Sequence, residues 1–338
     1  MKALILDAPT TMRVGEWSKP LAGQGEIVVR VAAAGVCAGD LLIYRGNNPY
    51  ASYPIVAGHE MAGVISEIGE GVTGFAVGER VVIEPFISCG KCYPCRVGKN
   101  NCCANLQIIG VHSAGGFAEY VKASAKNIHK VPDGLSLEYA SFAEPVAIAV
   151  QACRRGEVGN EYVLILGCGP IGLALIEVAK ARGARVVAVD VLEDRLELAK
   201  ELGAEILLAN DSILSNTLEQ TKGEGAPVVI EATGNLKVME STVDLVAAGG
   251  RIVIVGLGKK GQSVSFPALD FTRKEMTVLG SRTSVDCFPE SLELLASSKI
   301  HYPKVATNFS MWEAPELFQK LSDNPAMLHK ALLLTEAA

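Results

Sequence analysis

Four cysteines stand close together in one short segment of the chain. Cys89, Cys92 and Cys95 form a CxxCxxC pattern, and Cys103 follows after seven intervening residues. Four thiolates at this spacing on one loop can close a tetrahedral shell around Zn²⁺, and a closed shell leaves no position for a substrate. The spacing therefore predicts a structural zinc site, with the neighbouring Cys102 as a less well spaced alternative to Cys103.

A second set of metal-ligand side chains is scattered along the chain and comprises Cys37, His59, Glu60 and Glu144. One thiolate, one imidazole and one carboxylate suit a catalytic zinc ion that keeps an open fourth position. A single Cys or His in apolar surroundings is more typical of a packed core than of a metal site. The spacing alone does not show whether these side chains converge, and it leaves open which glutamate is the ligand.

A glycine-rich turn follows one short apolar segment and opens a segment with helical spacing. The turn has the pattern GxGxxG, and its candidate cofactor-binding residues are Gly167, Gly169, Pro170, Ile171 and Gly172. Such glycines allow a tight turn and a close approach of a pyrophosphate to the helix N-terminus. The alternative is a plain turn between a strand and a helix.

Asp190 ends the next β-rich segment, 18 residues after Gly172. A carboxylate at this place accepts hydrogen bonds from the ribose hydroxyls and repels a 2′-phosphate, so the sequence predicts NAD rather than NADP. If the turn is a plain one, Asp190 would instead cap the following helix. Arg195 in that helix is a further cofactor candidate that could argue for NADP, but a surface charge is its simpler interpretation.

The elements that must position these residues change character along the chain. The first part has short β-rich segments bounded by Gly or Pro. From Tyr162 onward, short apolar strands alternate with helices, which predicts βαβ units and a parallel sheet. We therefore expect three parts: a catalytic domain over 1–150 with the zinc lobe at 89–103, a nucleotide-binding domain over 151–285, and a return to the first domain over 286–338.

The composition of the 338 residues narrows the classes of function. Hydrophobic residues make up 49% and charged residues 20%, which argues against wholesale disorder. The net charge of −6 argues against a nucleic-acid-binding protein, because such proteins usually carry a basic face. We expect no transmembrane helix, because the longest uncharged apolar stretch, Tyr162 to Ile176, is too short to span a membrane. We expect no signal peptide, because Asp7 interrupts the first apolar run. Nine cysteines without an export signal indicate metal or redox chemistry rather than disulfides. Taken together, these features lead us to expect a cytoplasmic protein that binds neither membrane nor nucleic acid.

Four motifs occur in an order that resembles one known family. They are Gly58-His59-Glu60, the cysteine lobe, the glycine-rich turn and Glu231-Ala232-Thr233-Gly234. Over essentially the whole chain, the sequence resembles the zinc-dependent medium-chain dehydrogenases and reductases, the family of alcohol and polyol dehydrogenases. The resemblance implies an α/β protein with a GroES-like β-barrel catalytic domain and a Rossmann domain built on a doubly wound parallel sheet. Within the family it is greatest to sorbitol, threonine and sugar-acid dehydrogenases, including bacterial enzymes for L-galactonate or L-gulonate type substrates.

The resemblance also implies roles for particular residues. Cys37 and His59 would be zinc ligands, and Asp40 would orient His59. Glu60 and Glu144 match positions that alternate as ligand or lie beside the zinc-bound water, and a glutamate at 144 favours polyol or sugar substrates. We thus expect one catalytic and one structural Zn²⁺ per chain, and NAD. Further cofactor candidates by resemblance are Ala232, Thr233, Val255, Gly256, Leu257, Ser281 and Arg282.

One departure from the family concerns the proton relay. Most relatives carry Ser or Thr two residues after the Cys37 position, and often His three residues further on. Here the matching residues are Gly39 and Leu42, which cannot relay a proton. Another route would run through Glu60, Glu144 or water, or the substrate would supply its own hydroxyls. The candidate substrate-binding groups are His112, Arg45, Asn47 and Arg282.

These observations predict a zinc-dependent oxidoreductase that moves a hydride between NAD and a secondary alcohol in a polyol, sugar or sugar acid. Within the family, a simple alcohol or L-threonine dehydrogenase is the alternative. A non-catalytic NAD-binding relative is a weaker alternative, since its only support is Gly39 in the place of Ser or Thr. A nucleic-acid-binding zinc ribbon is also weaker, because only three basic side chains flank the cysteine lobe, which is too few to bind a phosphate backbone. The resemblance further suggests a homodimer or homotetramer formed through the edge strand near residues 251–280.

Overall fold

The computed structural model describes residues 1–210 and 212–335, and the chain divides into two compact units. The first unit contains Met1–Glu144, Phe288–Ala296 and the chain from Pro303 onward. The second contains Pro145–Cys287 and Ser297–Tyr302. These bounds lie a few residues from the division expected at 150 and 285, and the short segment Ser297–Tyr302 belongs with the second unit.

The strands of the described residues are short, with one long strand early in the chain. In chain order they are β1 (Lys2–Ala8), β2 (Thr11–Glu16), β3 (Glu26–Val36), β4 (Glu60–Ile68), β5 (Arg80–Ile83), β6 (Phe86–Ile87), β7 (Gln107–Ile108), β8 (Tyr120–Ser124), β9 (Ile128–Lys130), β10 (Tyr162–Leu166), β11 (Arg185–Asp190), β12 (Glu205–Leu208), β13 (Ala226–Glu231), β14 (Val246–Ile254), β15 (Thr277–Gly280), β16 (Ala306–Ser310) and β17 (Lys330–Leu334).

The helices lie mostly in the second half of the chain. In chain order they are α1 (Ala38–Tyr44), α2 (Tyr93–Arg96), α3 (Leu137–Ala140), α4 (Ala143–Arg155), α5 (Pro170–Ala181), α6 (Glu193–Glu201), α7 (Ile213–Gln220), α8 (Leu236–Leu245), α9 (Ala268–Lys274), α10 (Phe288–Ala296) and α11 (Ala314–Asp323).

The first unit is organised around a sheet in which β3 is central. The strand order is β16-β17-β3-β4-β5-β9, and β8 also pairs with β3. The pairs of β3 with β4 and with β17 are antiparallel, and Gly35 is opposite both Glu60 and Leu332. The core beneath includes Phe117 and Phe318, whose rings meet edge to face at 5.8 Å. Pairing through β3 thus brings together chain segments that are hundreds of residues apart.

The second unit contains a parallel sheet with the strand order β12-β11-β10-β13-β14-β15. Its strands are short buried apolar runs, as expected of a sheet against which helices pack. From β10 the chain proceeds outward through β11 and β12, and then returns to β13 on the other side of β10. Such a reversal creates a crevice at the carboxyl ends of the strands, where open α/β sheets bind ligands.

The predicted fold class is confirmed, with a β-rich unit and a parallel α/β unit of the kinds expected. The segment with helical spacing that the glycine-rich turn opens is α5, and the predicted end of a strand at Asp190 is the end of β11. Among residues 1–210 and 212–335, no helix has both the length and the apolar character needed to cross a membrane.

Candidate functional site

The clustered cysteines come together as one potential metal site. The Sγ atoms of Cys89, Cys92, Cys95 and Cys103 all lie within 4.8 Å of one another. Sγ of Cys103 also accepts hydrogen bonds from the backbone N–H groups of Cys89 and Asn105, both at 3.3 Å. Cys102 is exposed and lies outside this group. The geometry therefore favours Cys103 over Cys102 as the fourth ligand.

The electrostatics of this cluster fit a bound cation. Backbone N–H groups of Lys91 and Cys92 lower the pKa of Cys89 to about 6, whereas desolvation and the neighbouring sulfurs raise the pKa of Cys95 to about 11. The opposite shifts arise because four close sulfurs cannot all become thiolates without a compensating positive charge. A zinc ion is such a charge, and it deprotonates coordinating thiols.

We expect Cys95→Ser to remove the zinc of this lobe, because it deletes one of four ligands in a closed shell. The thermal midpoint should fall, since a structural metal contributes its binding free energy to folding. Zinc content by mass spectrometry and thermal unfolding check both effects. Cys102→Ser is the matched control, because Cys102 adjoins the cluster without belonging to it; an equal effect of both variants would contradict the assignment.

The scattered ligands Cys37, His59 and Glu60 also converge. One ligand atom from each lies within 4.8 Å of the others. Cys37 precedes α1, His59 immediately precedes β4, and Glu60 is the first residue of β4, paired with the end of β3. Gly35 leaves room for Glu60, because a Cβ atom there would lie 2.1 Å from Glu60 Oε2. The β3–β4 ladder therefore assembles a thiolate, an imidazole and a carboxylate at one end of the sheet.

Asp40 joins the two segments that carry these ligands. Its Oδ2 accepts a hydrogen bond from the backbone N–H of Cys37 at 2.9 Å, and its Oδ1 accepts one from Gly58 at 3.3 Å. Oδ1 also lies 3.3 Å from Nδ1 of His59. Asp40 is almost fully buried, so its carboxylate has little freedom to move. We propose that it orients His59, as the sequence predicts.

Two more buried charges, Glu144 and Lys330, stand beside the ligands. Glu144 lies in the first turn of α4, outside the three-residue group but close enough for electrostatic interaction with His59 and Glu60. Lys330, at the start of β17, donates a hydrogen bond to Glu60 Oε1 at 2.6 Å. The sequence analysis missed Lys330, because its only signal was a charged residue at the head of an apolar strand.

The site carries an excess of negative charge. Burial, with a smaller contribution from the neighbouring Glu60, raises the pKa of Glu144 to about 8 against the opposing effects of His59 and Lys330. Burial would lower the pKa of His59, but Asp40 and Cys37 outweigh it and raise that pKa well above its usual range. Both directions follow from burial and from several acidic groups that face one another, with Lys330 as a lysine partner of Glu60.

One buried polar atom of this site, Glu60 Oε2, makes no hydrogen bond within the described residues. Unpaired buried polar atoms are rare and call for an explanation such as a missing ion. Since Asp40 lies against Nδ1 of His59, Nε2 is the ring nitrogen left to bind a metal. Together with the donor set of one sulfur, one nitrogen and one oxygen, these features fit a divalent zinc ion.

We expect Lys330→Met to destabilise the metal-free protein by about 3–5 kcal/mol, because it leaves the buried carboxylate of Glu60 without its positively charged partner. The side chains of Lys330 and Glu60 are 2% and 1% exposed. Lys122→Met is the matched control, since Lys122 pairs with Glu26 at 2.7 Å but at 45% and 32% exposure. Urea unfolding would show a loss below about 1 kcal/mol for that control, and equal losses would contradict the argument.

The glycine-rich turn lies at the crevice of the parallel sheet. It leaves β10 and enters α5, with Gly169 as the N-cap and Pro170 as the first helical residue. Gly172 is required here, because a Cβ atom would lie 1.9 Å from the carbonyl oxygen of Gly167. A Cβ atom at Gly169 would meet nothing within 4 Å, so this face of the turn is open. An open helix N-terminus with free N–H groups fits a pyrophosphate.

Asp190 is buried at the end of β11, beside this turn. Its Oδ2 accepts a hydrogen bond from the backbone N–H of Cys168 at 2.7 Å, and its Oδ1 accepts one from Leu192 at 3.0 Å. Nη1 of Arg195 lies 3.8 Å from Oδ2. Asp190 therefore shapes both loops that a dinucleotide would contact, and Arg195 belongs to the same charge cluster.

The remaining cofactor candidates follow the neighbouring strands. Ala232 and Thr233 come after β13, Val255, Gly256 and Leu257 come after β14, and Ser281 and Arg282 come after β15. All of them are thus at the carboxyl edge of the sheet, where the glycine-rich turn also lies. The structure brings these loops to the place where a dinucleotide would bind.

Two of the candidate substrate-binding residues, Arg45 and His112, differ in the contacts that their side chains make with the protein. Arg45 donates hydrogen bonds to the hydroxyl and carbonyl oxygens of Ser322, which gives it a structural task. His112 is exposed, its Nδ1 accepts the backbone N–H of Ile108, and its ring lies 5.9 Å from that of Tyr50. In the neutral ring, Nε2 of His112 is therefore the protonated nitrogen.

Comparison with known proteins shows two family matches. Residues 23–133 match the alcohol dehydrogenase GroES-like domain, and residues 170–297 match the zinc-binding dehydrogenase domain. The chain is 37% identical to the starvation-sensing protein RspB of Escherichia coli (strain K12), over 91% of each chain. It is 36% identical to L-galactonate-5-dehydrogenase of the same strain, over 89% of this chain and 88% of that one. It is 37% identical to L-threonine 3-dehydrogenase of Pyrococcus abyssi, over 86% and 85%.

Two solved structures with bound cofactors have the same fold. The alcohol dehydrogenase RspB from Escherichia coli CFT073, complexed with NADH, gives a TM-score of 0.91 at 34% identity and covers 99% of both chains. A zinc-binding dehydrogenase from Sinorhizobium meliloti 1021, bound to NADP, gives 0.91 at 31% identity and covers 98% of both chains. The two neighbours thus hold different dinucleotides on similar folds.

Proposed function

This chain belongs to the zinc-type medium-chain alcohol dehydrogenases, and on that premise we propose that it oxidises a secondary hydroxyl of a polyol, sugar or sugar acid with NAD. The observation that carries the proposal is the convergence of Cys37, His59 and Glu60 beside a second buried carboxylate, Glu144. This donor set differs from the two thiolates and one imidazole that bind catalytic zinc in simple alcohol dehydrogenases, because a carboxylate takes the place of one thiolate. The name of one relative, L-galactonate-5-dehydrogenase, supports a sugar-acid substrate.

When bound, zinc would lower the pKa of a substrate hydroxyl and NAD would accept the hydride. The task of the chain is to hold and orient these groups. Cys37, His59 and Glu60 would hold the metal, while Asp40 fixes the relative positions of the Cys37 and Gly58 segments through its two carboxylate oxygens. Fixed ligands matter because reacting atoms must be held near contact distance.

The path of the alcohol proton favours a substrate with several hydroxyls. Gly39 carries no side chain, and Leu42 is an exposed apolar residue, so neither position can pass a proton outward. A neighbouring hydroxyl of a polyol can hydrogen-bond to the reacting hydroxyl and take over this step. A simple alcohol has no such group and would react more slowly.

Gly39→Ser tests this argument, because it adds a hydroxyl beside the site. A Cβ atom at this position would lie 3.6 Å from Cε1 of His59 and 3.8 Å from Sγ of Cys37, which is ordinary contact. We expect kcat/KM for butan-2-ol to rise about tenfold or more, since a positioned proton-transfer group contributes at least that much. The value for a polyol should stay the same. Gly39→Ala is the control, and an equal gain in both variants would rule out a proton relay.

NAD is the proposed cofactor because Asp190 places a buried carboxylate at the end of β11. A carboxylate at this position accepts ribose hydroxyls and repels a 2′-phosphate. NADP is the alternative, since the neighbour from Sinorhizobium meliloti is bound to NADP and Arg195 is close to Asp190.

The test is reduction of NAD⁺ and NADP⁺ by the zinc-replete protein over a substrate panel. The panel contains simple alcohols, four- to six-carbon polyols, hexonates and L-threonine. A clear preference for one polyol or hexonate with NAD⁺ would support the proposal. A preference for L-threonine would favour the alternative of an L-threonine dehydrogenase, and silence with NADH still bound would favour a non-catalytic protein.

We also propose a homodimer or homotetramer formed through the edge of the parallel sheet. Within the described residues, β15 is the last strand in the sheet order. Leu269 and Phe271 in the preceding α9 are 65% and 41% exposed. Light scattering after size-exclusion chromatography would test the assembly, and a monomer would exclude it.

A further inference from the structure

Glu231 is a buried carboxylate that the proposed chemistry does not yet use. It ends β13, has no solvent-exposed surface and opens the Glu231-Ala232-Thr233-Gly234 motif. It is not among the potential metal ligands. Removing a carboxylate from water is unfavourable unless the charge is compensated, so its presence requires a reason.

The side chain of Glu231 is used to fix one loop. Its Oε1 accepts hydrogen bonds from the backbone N–H of Thr233 at 2.7 Å, from the backbone N–H of Gly234 at 3.0 Å, and from the hydroxyl of Thr233. Three donors within four residues thus converge on one oxygen. The loop after β13 is therefore folded around this carboxylate.

The main chain of Glu231 fixes a second loop. Its carbonyl oxygen accepts the backbone N–H groups of Val255 at 2.8 Å and Gly256 at 3.1 Å. A Cβ atom at Gly256 would lie 2.2 Å from the nitrogen of Gly234 and 2.6 Å from Glu231 Oε2. The loop after β14 therefore packs directly on the loop after β13.

The loop after β13 also touches the glycine-rich turn. A Cβ atom at Gly167 would lie 2.8 Å from Cγ2 of Thr233, so Thr233 packs against the first glycine of the turn. Glu231 is thus the common anchor of two loops, and it reaches the third only through Thr233. All three leave adjacent strands, β10, β13 and β14, at the carboxyl edge of the sheet.

The other carboxylate oxygen of Glu231 makes no hydrogen bond within the described residues. A carboxylate kept half-unpaired is a poor way to stabilise a fold, because an apolar side chain of similar size could fill the same volume. The carboxylate of Glu231 instead provides one strong acceptor that holds three donors of a single loop. Its role is therefore to fix the shape of the loop rather than to pack the core.

We propose that Glu231 is a positioning residue for the nicotinamide end of the dinucleotide. The inference rests on the proposed function, which places the adenosine end at Asp190 and the pyrophosphate at the glycine-rich turn. Glu231 acts on neither of these places directly. It fixes the conformation of the loops 232–234 and 255–257. These loops contain cofactor candidates and follow β13 and β14, which lie on the opposite side of β10 from Asp190.

Binding of NADH and of ADP-ribose by the zinc-replete protein separates the two ends, since ADP-ribose lacks the nicotinamide. Glu231→Met removes the acceptor at similar size, and we expect it to weaken NADH binding at least about tenfold while ADP-ribose changes less than about twofold. Glu231→Gln keeps an acceptor oxygen for the three donors, and it should hold NADH within about threefold of the wild type. KM for NAD should rise more than kcat falls.

Thr233→Val is a second, milder variant that preserves folding. It removes one donor to Glu231 and the acceptor of the Asn235 backbone N–H, and it keeps the methyl group that lies against Gly167, so NADH binding should weaken about threefold with only a small fall in thermal midpoint. Equal losses of NADH and ADP-ribose in Glu231→Met would overturn the positioning role. Equal behaviour of the Gln and Met variants would do the same.

Asp190→Ala is the reference that separates this inference from the proposed function. It should weaken both NADH and ADP-ribose, because both contain the adenosine ribose. A wild-type protein that binds neither molecule would overturn the proposed function and the inference with it. A wild type that binds both, with no change in Glu231→Met, would overturn the inference alone.

Discussion

Replacing Cys37 with serine is expected to abolish oxidation of every substrate in the panel and to remove one of the two zinc ions per chain. Cys37 is one of three side chains whose ligand atoms lie within 4.8 Å of one another. A serine hydroxyl is a far weaker zinc ligand than a thiolate, so two ligands would remain. We expect kcat to fall by at least about three orders of magnitude, since a Lewis acid supplies several kcal/mol of transition-state stabilisation.

The fold should survive this change. Cys37 is half-buried, and the backbone N–H groups that join its segment to Asp40 are unaffected by the substitution. Far-UV circular dichroism and zinc content therefore accompany the kinetics. Cys95→Ser is the complementary variant, because it should lose the other zinc ion and more stability. Retained activity in Cys37→Ser would disprove the catalytic assignment.

Replacing Asp190 with alanine is expected to raise KM for NAD about tenfold and to reduce the preference for NAD over NADP. The first effect has two causes. The variant loses the proposed acceptor for the ribose hydroxyls, and it releases the backbone N–H groups of Cys168 and Leu192 that Asp190 now holds. The second effect follows from the loss of a negative charge that would repel a 2′-phosphate.

Two further variants separate these causes. Asp190→Asn keeps an acceptor oxygen but removes the charge, so KM for NAD should rise less than in Asp190→Ala while NADP is equally improved. Arg195, now 3.8 Å from Asp190, would be free to meet a 2′-phosphate in Asp190→Ala. Adding Arg195→Ala should then remove the gain with NADP. An unchanged cofactor preference in all three variants would contradict the role of Asp190.

Zinc content also distinguishes the enzyme from a non-catalytic relative. A chain that kept only the cysteine lobe would contain one zinc ion and bind NADH without turnover. The structure favours two sites, because it brings together two groups of metal-ligand side chains, and Glu60 Oε2 in the second group makes no hydrogen bond within the described residues. Two zinc ions in the wild type and one in Cys37→Ser would argue against the non-catalytic alternative.

The sequence by itself determined the features that depend on short spacing. The cysteine lobe needs only four residues on one loop, and the turn at Gly167–Gly172 needs only a strand, three glycines and a helix. Asp190 was found for the same reason, since it ends the next strand in the chain. Local geometry dictates these features, so their residue types and spacing carry nearly all of the information.

Only the tertiary structure decided which distant residues share a site. Cys37 meets His59 and Glu60 because β3 pairs with β4, and Lys330 reaches Glu60 because β17 pairs with β3. The anchoring role of Glu231 likewise depends on three loops that leave neighbouring strands. Spacing along the chain does not predict these long-range contacts, because strand order and register are set by burial and ladder hydrogen bonds over the whole sheet.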